Sequence, residues 1–263
     1  MPIGIFIGNA IGNTSPTGPA YDSDYQAILD KGTALGYTLP SASVQVKQNT
    51  LLTSMKANGV WAKLDVFYVF AQDGGSAFAT LNWKNPNANQ ASIASSPTFV
   101  NNGGFQGNGT SSFIDTNFNP ATQGVQYTQN NASRYFFTHA ISTTALRFDG
   151  ISSSNRNTMV RGLTNAQRIN AGTNTSLVAL DFTAAVNTKS LHRTSATDIT
   201  AYNETTGVST TQLSAAMDSL NQFILRSGSQ YGGHTCAAYA MGASMIAEHS
   251  AFIADWNTYK NSL

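Results

Sequence analysis

Residues 105–120 read FQGNGTSSFIDTNFNP, and this stretch decides the fold. Gly107, Asn108 and Gly109 tolerate the positive φ of a tight turn, so they predict a hairpin turn. Ile114, Thr116 and Phe118 then alternate with Asp115, Asn117 and Asn119, the period of a strand with one wet face. Pro120 stops that strand because it has no N–H for a ladder.

Outward from this stretch, the same period recurs. Residues 61–70 (WAKLDVFYVF) predict a half-buried strand, with Leu64, Val66, Tyr68 and Phe70 on one face and Trp61, Lys63 and Asp65 on the other. Further strands are predicted over 135–141, 145–151, 157–163, 177–182, 189–195, 198–204, 223–226 and 236–242. Many short strands divided by Gly, Asn and Ser turns indicate a sandwich. Residues 84–97 are polar and predict a loop.

The chain ends differ from this middle. Residues 22–36 predict a helix capped by Asp22 or Asp24, with Tyr25, Ile28, Leu29 and Leu35 as an apolar stripe and Gly36 as its stop. Ser41 caps a second helix running to Asn58, with Val44, Leu51, Leu52 and Met55 inward and Gly59 beyond it. The hairpin of residues 21–59 carries few charges, so it packs on the sandwich or on another subunit. A closing helix is predicted over 245–262 with Ser244 as N-cap and Ile246, Phe252, Ile253, Trp256 and Tyr259 on one face. Residues 1–20 form an irregular arm broken by four glycines and three prolines. Ile3, Ile5, Phe6, Ile7 and Ile11 within it are too apolar for a solvated tail and predict an attachment or oligomer contact. The expected division is therefore 1–20 arm, 21–59 helical hairpin, and 60–263 sandwich with its closing helix.

Composition narrows the function classes. Charged residues make up 10% of the 263, and the net charge is +1 with no basic block. That excludes an electrostatic footprint for nucleic acid or an anionic membrane. No run is long enough to span a bilayer. With 41% apolar residues and 3 Trp, 10 Tyr and 14 Phe, the chain has ample core material. The single cysteine, Cys236, reads as a small buried apolar residue.

Catalytic patterns are missing. Glycosidases of sandwich folds set an acid and a nucleophile about 5 Å apart on one face. Here the glutamates are Glu204 and Glu248, far apart in sequence. Gly242-Ala243-Ser244-Met245-Ile246 lacks the final glycine of a serine nucleophile elbow. His139, His192, His234 and His249 are too scattered for a zinc motif. No cofactor is called for. Calcium finds only weak loop candidates in Asp73, Asp115 and Asp149, without an Asp-x-Asp-x-Asp-Gly loop. Loop aromatics with amide neighbours suit sugars, whose C–H faces stack on rings while amides bond hydroxyls. Trp83, Tyr127 and Tyr231 are the candidates, and weak multivalent glycan binding is the expectation.

The Phe-x-Gly-Asn-Gly-x-Ser-Ser-Phe-Ile-Asp-Thr pattern resembles a strand pair of concanavalin A-like, laminin-G-like jelly-roll domains. With WAKLDVFYVF and the YTQNNAS of 127–133, the chain is similar to the version of that domain carried by virion proteins of tailed bacteriophages. The resemblance implies a mainly β jelly-roll sandwich over about 60–242, closed by the C-terminal helix. It implies a non-enzymatic structural protein of the particle, a head fibre or capsid decoration or a tail appendage. Its partners would be other virion proteins and copies of itself, most simply as a trimer. Such a protein is made in the host cytoplasm without export and released by lysis; the chain start, lacking a secretory pattern, agrees. The alternative on the same scaffold is a polysaccharide depolymerase.

Overall fold

A computed structural model describes residues 20–151, 157–161, 167–171, 180, 182 and 185–263. The fold is mainly β, with a helical hairpin before the sheets and a helix after them. In chain order the elements are α1 (Ser23–Ala34), α2 (Ala42–Ala57), β1 (Leu64–Val69), α3 (Ser76–Ala79), β2 (Ser92–Ala94), β3 (Thr98–Val100), β4 (Gly104–Gln106) and β5 (Phe113–Asp115). There follow α4 (Pro120–Gln123), β6 (Ala132–Ala140), β7 (Arg147–Gly150), β8 (Thr158–Val160), β9 (Thr188–Arg193), β10 (Asp198–Asn203) and β11 (Thr206–Thr211). The last are β12 (Phe223–Ile224), β13 (Arg226–Ser227), β14 (Gln230–Tyr231), β15 (Thr235–Gly242) and α5 (His249–Ser262).

The strands form two antiparallel sheets and a ribbon. The larger runs β11-β10-β9-β6-β15-β4-β3, with β1 pairing along the same edge of β15 as β4. The smaller runs β2-β5-β12-β7-β8, and β13–β14 is a separate two-stranded ribbon.

The large sheet is covered on both faces, and this corrects the reading of β1 as half-buried. Val66, Tyr68 and Phe70 enter a core shared with the small sheet, through Ile114, Phe148 and Ile224. Phe67 and Val69 enter a second core shared with Tyr25, Leu52, Phe252 and Trp256 of the helices. Trp61–Lys63 is a 3-10 turn rather than strand, and Leu64 joins the helix-side core because the β1–β15 register shifts between Leu64 and Val66. The helical hairpin thus packs on the large sheet together with α5. Burial on two faces explains why the central strands carry continuous apolar runs.

Both hairpin helices start where their capping residues predict. Asp22 Oδ1 accepts from Asp24 N at 2.9 Å, and Ser41 Oγ accepts from Val44 N. Gly36 and Gly59 end them at φ of +69° and +77°. Leu35 is the exception to the expected stripe, standing exposed at the cap. Lys56 of α2 pairs with both Asp22 and Asp24, and Trp61 Nε1 donates to Asp24 Oδ2, which fastens α1 to the sheet entry.

Three local expectations are corrected. Residues 105–120 do not form a hairpin: β4 lies in the large sheet and β5 in the small one, so the Gly-Asn-Gly turn is the crossing between sheets. Asn108 Oδ1 builds that corner by accepting from the amides of Thr110, Ser111 and Ser112. A Cβ on Gly107 would stand 2.1 Å from the Gly232 carbonyl oxygen, so only glycine fits there. Second, α5 begins at His249, not at 245. Ser244 does not cap it; its amide donates to Asn131 Oδ1, and Ile246 is exposed. Third, the polar stretch 84–97 contains the edge strand β2. The strand expected over 177–182 lies outside the described residues save Leu180 and Phe182, and the apolar arm Ile3, Ile5, Phe6, Ile7 and Ile11 lies outside them altogether.

The β10–β11 hairpin turns through Glu204-Thr205, with Asn203 paired to Thr206. Glu204 takes φ of +58°, a conformation uncommon for its type. Its carboxylate accepts from Thr188 N at 2.7 Å and Asn257 Nδ2 at 2.8 Å, while its carbonyl oxygen meets His249 Nε2 at 2.7 Å. Those bonds tie the turn to α5 and offset its strain.

Candidate ligand-binding cleft

Where β12 ends, the chain leaves the small sheet. Leu225 adopts φ of +65° with its side chain fully buried, and this left-handed residue redirects the backbone into the β13–β14 ribbon. The ribbon sets Arg226 opposite Tyr231 and Ser227 opposite Gln230. Gly232 then pairs with Leu146, so the ribbon lies beside the loop that enters β7.

Between them is a cleft of about 480 Å³. Its described lining includes Thr110 from the sheet-crossing loop, Thr144 and Arg147 from the β7 approach, and Ser229, Gln230 and Tyr231 from the ribbon. Arg147 Nη2 donates to Gln230 Oε1. Burial lowers the Arg147 guanidinium from the usual arginine value. Behind Tyr231, the Arg226 guanidinium lies 4.5 Å from the Phe113 ring centre, 4.8 Å from Phe223 and 5.5 Å from Tyr231. Such cation–π contacts hold the ring positions. The cleft therefore joins one half-buried aromatic ring to a planar cation, an amide and several hydroxyls.

The interior of the sandwich holds a buried polar network. Asp149 accepts from Arg134 Nη1 at 2.8 Å, Tyr239 Oη at 2.6 Å and Met159 N at 3.0 Å, all within the sandwich. Burial pushes the Asp149 carboxyl up, opposed by Arg134, Tyr239 and the Met159 amide. Arg193 donates to the carbonyls of Ile169 and Gln212. His234 stacks on Phe148 with ring centres 4.1 Å apart and accepts from Ser142 N through Nδ1.

Of the three aromatic candidates, the structure places only Tyr231 on a cleft. Trp83 is 1% exposed, wedged between Tyr25 and Phe67 at centroid distances of 5.6 and 5.7 Å. Tyr127 is equally buried, and its hydroxyl donates to Asn170 Oδ1. Both rings are core residues, with no face left for a ligand. The calcium candidates are also spoken for. Asp73 accepts from Ser41 N at the start of α2, Asp115 accepts from Asn117 N and Asn221 Nδ2, and Asp149 serves Arg134. They lie apart, and no three His, Cys, Asp or Glu come together to hold a metal among the described residues. Arg147 and Gln230 escaped the sequence reading, because the cleft gathers segments more than eighty positions apart.

His234 carries a pH prediction. Burial lowers its imidazole to about 4, against about 6.5 for an unfolded histidine. A depressed folded value means that stability is complete above pH 6.5 and declines as pH falls toward 4, by about 3 kcal/mol from this group at pH 4. Burial lowers His192 and His249 in the same direction. An NMR titration should show His234 with a midpoint near 4; a midpoint at the unfolded value would contradict its burial.

No family model and no curated protein sequence matches the chain. Among solved structures, it is similar to a mutant Trypanosoma rangeli sialidase displaying trans-sialidase activity, at TM-score 0.49 and 10% identity, over 81% of this chain and 39% of that one. It is similar to an HCR/D mutant at 0.45 and 8%, over 75% and 53% of the two chains. It is also similar to domain 4 of AbnA, a GH43 extracellular arabinanase from Geobacillus stearothermophilus in complex with arabinotriose, at 0.37 and 12%, over 73% and 98%. The chain spans about two fifths and half of the first two proteins.

Proposed function

We propose that this chain is a non-enzymatic structural component of a bacteriophage particle, a head fibre, capsid decoration or tail appendage, that also binds glycans in the Tyr231 cleft. The observation that carries the binding role is the cleft itself. It sets a half-buried tyrosine ring beside Arg147, Gln230, Thr110 and Thr144 in a hollow the size of one or two sugar rings. Rings stack on the apolar face of a sugar while planar polar groups bond its hydroxyls. The site lies at the rim of the sheets, with Thr110, Thr144 and Ser229 on loops and Arg147, Gln230 and Tyr231 on strands. The particle role is supported by the resemblance of residues 61–70, 105–120 and 127–133 to phage virion domains. Attachment and self-association, as a trimer, belong in this reading to residues 1–20 and the low-charge helical hairpin. Absence of a carboxyl group from the described cleft lining favours holding a sugar over cutting it.

A single site of this kind binds at about millimolar strength and gains from copies on one particle. Multivalent protein on a glycan array should therefore bind a defined subset of sugars, and Tyr231→Ala should weaken that binding about tenfold, the loss of about one stacking contact. Equal binding by wild type and Tyr231→Ala would remove the cleft from the account. Release of shorter oligosaccharides on incubation would replace it with an enzyme.

A further inference from the structure

We infer that the cleft selects glycans bearing a carboxylate, with Arg147 as the residue that reads the acid; this rests on the glycan reading above. Charge distribution carries the inference. The chain as a whole is nearly neutral, at +1. Yet the described cleft lining has a cation and no aspartate or glutamate. Two further guanidinium groups border it. Arg226 is held behind Tyr231, and Arg161, next to the lining residue Val160, donates to the carbonyl of Ser142 at 3.3 Å. None of the ion pairs among the described residues involves Arg147, Arg161 or Arg226.

Arg147 is also the right kind of cation. It sits on β7, opposite Val160 in the ladder, so its backbone is fixed by the small sheet. Gln230 Oε1 takes one of its N–H groups and orients the planar head. A guanidinium has five donors in a rigid fork, and the fork matches the two oxygens of a carboxylate. A neutral sugar needs no such group, and a half-buried arginine with no acidic partner among the described residues costs desolvation. An anionic ligand supplies the missing partner, the sugar ring rests against Tyr231, and Thr110 and Thr144 take hydroxyls. A hexuronate meets all these demands at once. A sulfated sugar shares the charge but not the planar two-oxygen face, which separates the two on the same assay.

The test uses the full chain, displayed multivalently, against oligogalacturonates, the same oligomers as methyl esters, sulfated oligosaccharides and a neutral panel. The ester removes the charge and adds a single methyl to the same oligomer, so the comparison needs no variant. Acid should exceed ester by about 10–100-fold, the range of a lost charge-assisted hydrogen-bond pair. That preference should fade at about 0.5 M salt, where screening is short-ranged. Arg147→Ala should bring the acid down to the ester's level, and Arg147→Lys should recover part of the difference, with unchanged circular dichroism in both. Equal binding of acid and ester, or binding to neutral sugars alone, overturns the acid selectivity and leaves the glycan reading standing. Stronger binding to the sulfated set, unaffected by Arg147→Ala, overturns it as non-specific charge attraction. Silence across every glycan overturns the inference and the glycan reading together.

Discussion

Asp149→Ala should cost about 3–5 kcal/mol of folding stability, a large share of the roughly 5–15 kcal/mol that a protein possesses. Arg134 and Asp149 are both fully buried in the sandwich, with an Nη1–Oδ1 distance of 2.8 Å. Removing the carboxylate leaves a guanidinium in a low-dielectric interior without its paired charge, although the Arg168 carbonyl still accepts from it. The same substitution strips the acceptor from the Tyr239 hydroxyl and the Met159 amide. An unpaired buried charge is far more costly than a missing pair. The double variant Arg134→Met, Asp149→Leu should therefore be less damaged than Asp149→Ala alone. Urea unfolding of the three proteins measures this. A loss under about 1 kcal/mol for Asp149→Ala would mean the pair is solvated, contrary to its burial.

Trp83→Ala should cost a similar amount, about 3–5 kcal/mol, and lower the unfolding midpoint by about 10 °C or more. The indole joins the helical hairpin to the sheet, touching Tyr25 of α1 and Phe67 of β1. Its Nε1 has no hydrogen-bond partner among the described residues, so Trp83→Phe forfeits volume but no such bond and should cost much less. Calorimetry on both variants checks the order. If Trp83→Ala instead abolished glycan binding with its midpoint unchanged, the assignment of Trp83 to the core would be wrong.

What could be read from the sequence was what local chemistry dictates. Asp22 and Ser41 cap their helices because a capping bond reaches only two or three residues. The strand at Leu64–Val69 was legible from its β-branched and aromatic content, but not its burial. Alternation cannot tell a strand with one wet face from one covered on both, and here the second cover is the helical hairpin together with α5, the latter nearly two hundred positions away. The same distance problem hid the role of Gly107-Asn108-Gly109. A turn was required there, but whether it closed a hairpin or crossed between sheets depended on β15 and β12 pairing with the segments on either side. Ser244 was a plausible cap by type, yet Lys63 pairs with Glu248 and the helix starts one residue beyond that pair. For the cleft, an aromatic in a Gln-Tyr-Gly-Gly loop was a usable signal. Trp83 and Tyr127 gave the same signal and are core. Arg147 gave none, since its meaning comes from Gln230 across the cleft.

Binding of a glycan against Tyr231 is best tested by an amide NMR titration. The titrant is the sugar with the highest array signal, added to isotopically labelled full-length protein. Shifts should cluster on Thr110, Thr144, Arg147, Gln230 and Tyr231, and the Arg147 side-chain resonance should move with them. The contradicting result is equally definite. Shifts centred instead on the hollow between β6 and α5, at Thr138, His139, Asn257 and Lys260, or shifts absent at millimolar sugar, would show that the cleft is not the binding site.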